Sequence, residues 1–188
     1  MSNRVLGIFA LIGSPWLCIG MYLEQRNPRL LDSWFTGVWG LIFISGWICS
    51  VIALRRLKAT GNSSFGKILL IVLLIILSLA NVSNVIQVIV EKDKPPYFMV
   101  LDMCWPLSNL IMFITGIMVI IAKGLPGWKR WIPLATGLWF PLAMLSFLID
   151  NKFVSLLVGV YSVVAWALLA IVIITTKKEN DSMAQTNY

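Results

Sequence analysis

The side chains most able to do chemistry lie in two neighbouring apolar stretches of the sequence. They are three carboxamides, one carboxylate, one indole and a fourth carboxamide, in the order Asn81, Asn84, Gln87, Asp102, Trp105 and Asn109. Amide and carboxylate oxygens bind cations, and amides also hydrogen-bond small polar solutes. We therefore consider these six residues as a candidate binding site, with Asp102 as a charged ligand or proton site and Trp105 as an aromatic wall.

Their spacing predicts that the polar groups share helix faces. Asn81, Asn84 and Gln87 are three residues apart, which makes them neighbours on a helix, and Asp102 and Asn109 are seven apart. The short connection 91–97 makes the two helices antiparallel neighbours, so their polar halves lie at similar depth. These observations predict a polar pocket between the two helices.

A second interpretation is that the same side chains only hold helices together. Asn, Gln and Ser hydrogen bonds between membrane helices contribute about 0.6 kcal/mol each. On that interpretation Asp102 lies near enough to the surface to be solvated. The sequence leaves both interpretations open.

Missing residue types exclude several kinds of site. The chain has no histidine, which rules out His-based zinc sites, bis-His haem ligation and His-dependent catalytic triads. Cys18, Cys49 and Cys104 show no C-x-x-C spacing, and no phosphate-binding loop or nucleophile elbow is present. We predict no metal, no cofactor and no enzyme activity. Glu91 with Asp102 is the carboxylate pair that an enzyme would use.

The elements that must position these residues are six long apolar stretches. The chain is 59% hydrophobic and 12% charged, whereas soluble domains carry about 25% charged residues. Each stretch can cross about 30 Å of hydrocarbon as a helix. We number them spans 1 to 6, at residues 5–23, 34–54, 68–90, 98–122, 131–149 and 153–175. The predicted fold is an all-α membrane bundle forming one domain over 1–178, with a polar tail at 179–188 that we expect to be disordered.

The loop charges predict the orientation. One set of loops holds ten cations: Arg4, Arg55, Arg56, Lys58, Lys67, Lys123, Lys129, Arg130, Lys177 and Lys178. The alternate set holds five: Arg26, Arg29, Lys92, Lys94 and Lys152. By the positive-inside rule, both termini are cytoplasmic. Few cysteines and short loops suit a bacterial cytoplasmic (inner) membrane. Because the positive charge follows the loops, we predict no nucleic-acid partner.

Two further patterns concern the architecture. Pro15, Pro106 and Pro141 lie inside spans, where proline removes a helix hydrogen bond and can kink the helix. Residues 4–26 align without a gap with 130–152, and 33–56 align with 155–178. This alignment is interpreted either as a parallel repeat of the first and last hairpins or as the chance similarity of two apolar hairpins.

The sequence thus predicts small-solute or ion binding or transport, by a channel, transporter or receptor module, through a polar pocket in the outer half of the membrane between spans 3 and 4. The alternative is a non-catalytic membrane subunit or scaffold, and the third hypothesis is a membrane enzyme that uses carboxylates. Besides the lipid bilayer, the partners to consider are a small-molecule or ion ligand, another protein and a second copy of the chain.

Overall fold

The structure, a computed structural model, describes residues 1–90, 93–149 and 151–176 of the chain. It contains six helical segments long and apolar enough to cross a membrane: Asn3–Arg26, Trp34–Arg56, Ser64–Ile89, Phe98–Ala122, Gly127–Ile149 and Lys152–Thr175. No β-strand occurs within this described part. The prediction of an all-α fold with six spans is therefore confirmed, and the chain has the features of an integral membrane protein. Glu91, Asp150 and the tail at 179–188 lie outside the described residues.

Capping side chains determine where several spans begin. Ser63 Oγ accepts a hydrogen bond from the Gly66 amide at 3.1 Å, so span 3 begins at Ser64, earlier than its apolar stretch. Ser33 caps span 2, and Asn151 accepts from the Phe153 amide at 2.9 Å to cap span 6. Each cap satisfies an amide that has no partner within its helix.

The three prolines have different effects on their helices. Span 1 is interrupted at Pro15 and consists of two helices, Asn3–Gly13 and Trp16–Arg26. Ser14 Oγ donates to the Leu11 carbonyl at 2.9 Å, which satisfies the group that Pro15 leaves without a helical donor. Pro106 lies in the first turn of the helix that follows an interruption at Met103, and Pro141 lies inside an unbroken helix.

The six spans form a closed ring. Each span packs against the next one in the chain, and span 6 packs against span 1. Spans 2 and 6 also contact each other across the ring. The buried core contains large side chains from this crossing, including Phe43 and Trp47 of span 2 and Trp166 of span 6.

Close crossings depend on glycine. A Cβ atom added to Gly116 would overlap the backbone of Leu134, and one added to Gly137 would overlap the backbone of Phe113. Spans 4 and 5 therefore approach each other at backbone distance. Small residues allow such crossings between membrane helices, where close packing replaces the hydrophobic effect as the driving force.

The described loops lie at two opposite ends of the ring, and Met1 and the end of span 6 lie at one of them. At one, which we call the basic end, Arg56 donates to the Met1 carbonyl and Lys129 donates to the Thr175 carbonyl at 3.1 Å. At the other, which we call the Asp102 end, Lys94 forms an ion pair with Asp32 at 3.7 Å.

The crossing of spans 4 and 5 can be tested with a single methyl group. We expect Gly137→Ala to destabilise the protein by about 1–3 kcal/mol, because the new Cβ overlaps backbone that cannot move without separating the helices. Gly159→Ala is the matched control, since the nearest atom to its Cβ is the Cys18 sulfur at 3.2 Å. Thermal unfolding in detergent measures both, and equal stability of the two variants would contradict this account.

Candidate functional site

The carboxamides of span 3 face span 2. Asn81 Nδ2 donates to Ser45 Oγ at 3.0 Å, and Asn84 Nδ2 donates to Asn81 Oδ1 at 3.4 Å. Asn84 also lies against Gly40, where an added Cβ would overlap its side chain. Glycine at this position of span 2 therefore makes room for the amide. Asn81 and Asn84 are neighbours as predicted, but Asn81 bonds to span 2 and Asn84 bonds to Asn81, so these bonds do not reach span 4.

Gln87 fastens the loop between spans 1 and 2. Its side chain is 3% exposed, and Nε2 donates to the carbonyls of Asp32 at 2.5 Å and Ser33 at 3.1 Å. Asp32 has a positive φ of 56°, a conformation that costs energy for a residue with a side chain. Both donors of the amide are thus used to hold a strained turn against span 3.

Asp102 lies at the rim of the bundle. Its side chain is exposed and lies near Ser83 of span 3, whose hydroxyl donates to the Ala80 carbonyl at 2.7 Å. Its charged neighbours are Lys94 and Asp32, and the Lys94 ammonium also lies 4.6 Å from the centre of the Phe98 ring. A carboxylate in this position can meet a solute that arrives at the Asp102 end.

Trp105 and Asn109 continue inward from Asp102 on span 4. Asn109 is 1% exposed, and its Nδ2 donates to the Trp105 carbonyl at 3.0 Å. Its Oδ1 has no hydrogen-bond partner within the described residues. The Trp105 ring is 5.7 Å from that of Trp139 on span 5. The six predicted residues thus separate into the carboxamides bonded toward span 2 and three residues that lead into the core.

The core holds a connected group of indoles, which we call the tryptophan row: Trp47, Trp166, Trp139 and Trp105. Trp166 is 5.4 Å from Trp47 and 5.9 Å from Trp139, measured between ring centres. The first three are at most 3% exposed, and their indole N–H groups have no partner among the described residues. Leaving a buried donor unpaired costs about 1–3 kcal/mol.

Sequence reasoning missed the tryptophan row. Tryptophans near the ends of apolar stretches, such as Trp34, Trp128 and Trp131, are typical of the membrane–water interface. Trp47, Trp139 and Trp166 lie well inside their spans, which is the signal that would have separated them from this group.

Glu24 lies just beyond the predicted end of span 1 at residue 23, so the sequence did not mark it as a contact between helices. In the structure it lies in the last turn of span 1, and its Oε1 accepts hydrogen bonds from Thr36 Oγ1 at 2.5 Å and Trp39 Nε1 at 2.9 Å. Gly20 leaves space for the Trp39 ring one turn earlier on span 1. These contacts hold the second half of span 1 against span 2.

A groove of about 280 Å³ lies between spans 1 and 2. Its lining is mostly apolar and consists of Phe9, Ile12, Leu41, Ile42, Ser45, Gly46 and Cys49. None of the six predicted binding residues lines it. Within the described chain, no three His, Cys, Asp or Glu residues are placed to share a metal ion.

Comparison of the chain with models of known families, with curated proteins and with solved structures finds no match. The function is therefore inferred from the chain's own residues and their contacts.

The hydrogen bonds from Gln87 to the first loop predict a loss of stability when its N–H donors are removed. We expect Gln87→Met to lower the free energy of unfolding by about 1–3 kcal/mol, because the carbonyls of Asp32 and Ser33 lose their partner. Gln25→Met is the control, since Gln25 is exposed and an exposed substitution changes stability by about 0.5 kcal/mol or less. Unfolding curves that coincide for the two variants would refute this role.

Proposed function

We propose that the chain binds a small solute or ion inside the membrane, as a transporter, channel or receptor module. The observation that carries this proposal is the unpaired Oδ1 of Asn109. Buried polar atoms nearly always have a partner, and no water is available in the hydrocarbon to supply one. An acceptor left free at this depth is suited to a molecule that enters the bundle.

Asp102, Trp105 and Asn109 give that molecule a route. They lie three and four residues apart, so they follow one side of span 4. Asn109 is eleven residues after Phe98, or about 16 Å along the helix at 1.5 Å per residue. The route therefore leads from the exposed carboxylate of Asp102, past a half-buried ring, to the middle of the membrane.

The carboxamides of span 3 do not line this route; they hold the helix beside it in position. Asn81, Asn84 and Gln87 all have protein partners and fix span 3 and the first loop in place. Ser83 is the residue of span 3 that faces Asp102. In this proposal the carboxamides hold span 3 in position, and the ligand enters a polar pocket between spans 3 and 4 beside Asp102.

We further propose that the basic end is cytoplasmic and that the membrane is a bacterial inner membrane. The excess of Lys and Arg in alternate loops supports this orientation. Arg56 contacts Met1 and Lys129 contacts Thr175, so those loops lie beside the first residue and the end of span 6. Asp102 would then open to the outside.

The repeat of the first and last hairpins remains a hypothesis. The ring order supports it, because spans 1 and 2 and spans 5 and 6 are neighbouring pairs with the same direction. The aligned prolines differ, since Pro15 interrupts its helix and Pro141 does not. Trp39 bonds to Glu24, whereas the aligned Tyr161 donates to the Ala135 carbonyl at 2.6 Å.

A second candidate function is a non-catalytic membrane subunit. Ser45 is exposed on span 2 beside the apolar groove, with its hydroxyl bonded to Asn81. Exposing polar groups to lipid costs free energy. The Ser45–Asn81 pair on this surface therefore favours packing of a transmembrane helix from another protein against it. The enzyme hypothesis depends on Glu91, which lies outside the described residues.

Asn109→Leu tests the first proposal against a structural role. We expect the variant without ligand to be at least as stable as the wild type, because an unpaired buried carbonyl is removed. The variant should also lose the stabilisation by solutes. In the wild type, a binding solute present at 100 times its Kd raises the free energy of unfolding by about 2.7 kcal/mol. The measurement is thermal unfolding with a panel of alkali cations, amino acids and sugars. A ligand-free variant that is strongly destabilised, or one that keeps the solute effect, would count against the proposal.

Asp102→Asn tests the entrance. We expect the variant to bind the solute that stabilises the wild type about tenfold more weakly. The protein should stay folded, because the exposed carboxylate makes few structural contacts. Asp32→Asn is the matched control, as another exposed acid at the same end that is paired with Lys94. Equal effects of the two variants would show a general charge effect and exclude a specific entrance.

The orientation can be tested by cysteine labelling after Cys18, Cys49 and Cys104 are replaced by alanine. We expect a membrane-impermeant maleimide added to intact cells to label Lys94→Cys and to leave Lys58→Cys unmodified, because these residues lie at opposite ends. The reverse pattern would invert the proposed orientation.

A further inference from the structure

We infer that the tryptophan row and Asn109 form the inner binding site, and that its ligand is a small neutral molecule carrying a hydroxyl or carbonyl oxygen. This inference rests on the proposed function and narrows its solute class. The site joins residues of spans 2, 4, 5 and 6. Three of these residues, Trp47, Trp139 and Trp166, were not among the candidates from the sequence.

The hydrogen-bonding groups define the chemistry of the ligand. The site offers three indole N–H donors, from Trp47, Trp139 and Trp166, and one acceptor, Asn109 Oδ1. Each of these residues is at most 3% exposed. A ligand oxygen can accept from an indole N–H, and a hydroxyl group can also donate to Asn109. A pure hydrocarbon would leave all four groups unpaired.

The absence of formal charge at this depth argues against an ion. No Lys, Arg, Asp or Glu occurs in the sequence of the six stretches 5–23, 34–54, 68–90, 103–122, 131–149 and 153–176. A bare charge in so apolar a region has a large desolvation cost unless an opposite charge or many dipoles compensate it. A cation would in addition meet the positive ends of the N–H dipoles. The site is therefore suited to a neutral molecule.

The ring contacts limit the size of the ligand. The Trp166 ring lies 5.2 Å from Phe43 and 5.4 Å from Trp47, so the rings touch in this structure. A ligand must therefore displace at least one ring to reach the N–H groups. Trp105, the half-buried member of the row, lies between Asp102 and Asn109 along span 4 and is the ring that an entering molecule meets first.

A matched series of probes tests this inference in the full-length protein in lipid nanodiscs. Cyclohexanol has the required hydroxyl group, cyclohexane has a similar shape without it, and tetramethylammonium chloride supplies both a cation and an anion. Tryptophan emission and thermal stabilisation are measured against probe concentration. We expect a saturable response to cyclohexanol, and none to cyclohexane or to the salt.

Variants then locate the response. We expect Trp166→Phe and Trp139→Phe each to lower the affinity for cyclohexanol at least tenfold, because phenylalanine keeps an aromatic ring but has no N–H group. Trp34→Phe is the matched control, since Trp34 is exposed at the end of span 2. Asn109→Leu provides an independent variant if either tryptophan replacement fails to fold.

Each remaining outcome overturns the inference in a recognisable way. A saturable response to tetramethylammonium chloride that depends on Asp102 would keep the proposed function and exclude the neutral class. Equal responses to cyclohexane and cyclohexanol would show that the N–H groups do not select the ligand. Absence of a response to every probe, together with absence of the Asn109-dependent solute effect, would show that the core binds no ligand and would refute both proposals.

Discussion

The constraint on which this structure depends is that polar groups inside a bilayer must find partners within the protein. The backbone meets it by forming helices. Where Pro15 removes a donor, the Ser14 hydroxyl takes its place at the Leu11 carbonyl. Asn81, Asn84 and Gln87 meet the same requirement with side-chain and loop partners. Asn109 Oδ1 and three indole N–H groups have no hydrogen-bond partner within the described residues, and they are the basis of the functional proposals.

Close contact between helices is the second organising feature. Gly116 and Gly137 bring the backbones of spans 4 and 5 together, and Gly40 accommodates the Asn84 amide. Such contacts fix which face of each helix turns inward. They therefore decide that the carboxamides of span 3 fasten it to span 2, while Asn109 on span 4 is left with a free carbonyl.

The sequence predicted the parts of the fold that depend on hydrophobicity and length. Six apolar stretches defined six spans, since a helix that crosses hydrocarbon needs about 20 apolar residues. It did not predict which neighbour Asn81 and Asn84 face, because a three-residue spacing shows that side chains share a face and does not show where that face points. Gly40 was the missing partner. Small residues on span 2 were visible in the sequence, but their pairing with Asn84 requires the helix register.

The candidate site was predicted in part for a similar reason. Asp102, Trp105 and Asn109 could be singled out because polar and aromatic residues stand out within an apolar stretch. Trp47 and Trp166 could not be grouped with them, since they come from spans far apart in the chain and meet only when the ring closes.

The interruption at Pro15 has a consequence for local stability. Span 1 is two short helices with separate attachments, in which Asn3–Gly13 packs on spans 2 and 6 and Trp16–Arg26 is bonded through Glu24. Short helices joined at a break can open independently, because no continuous ladder of hydrogen bonds couples them. Amide hydrogens on the two sides of Pro15 should therefore exchange with solvent as two separate cooperative units.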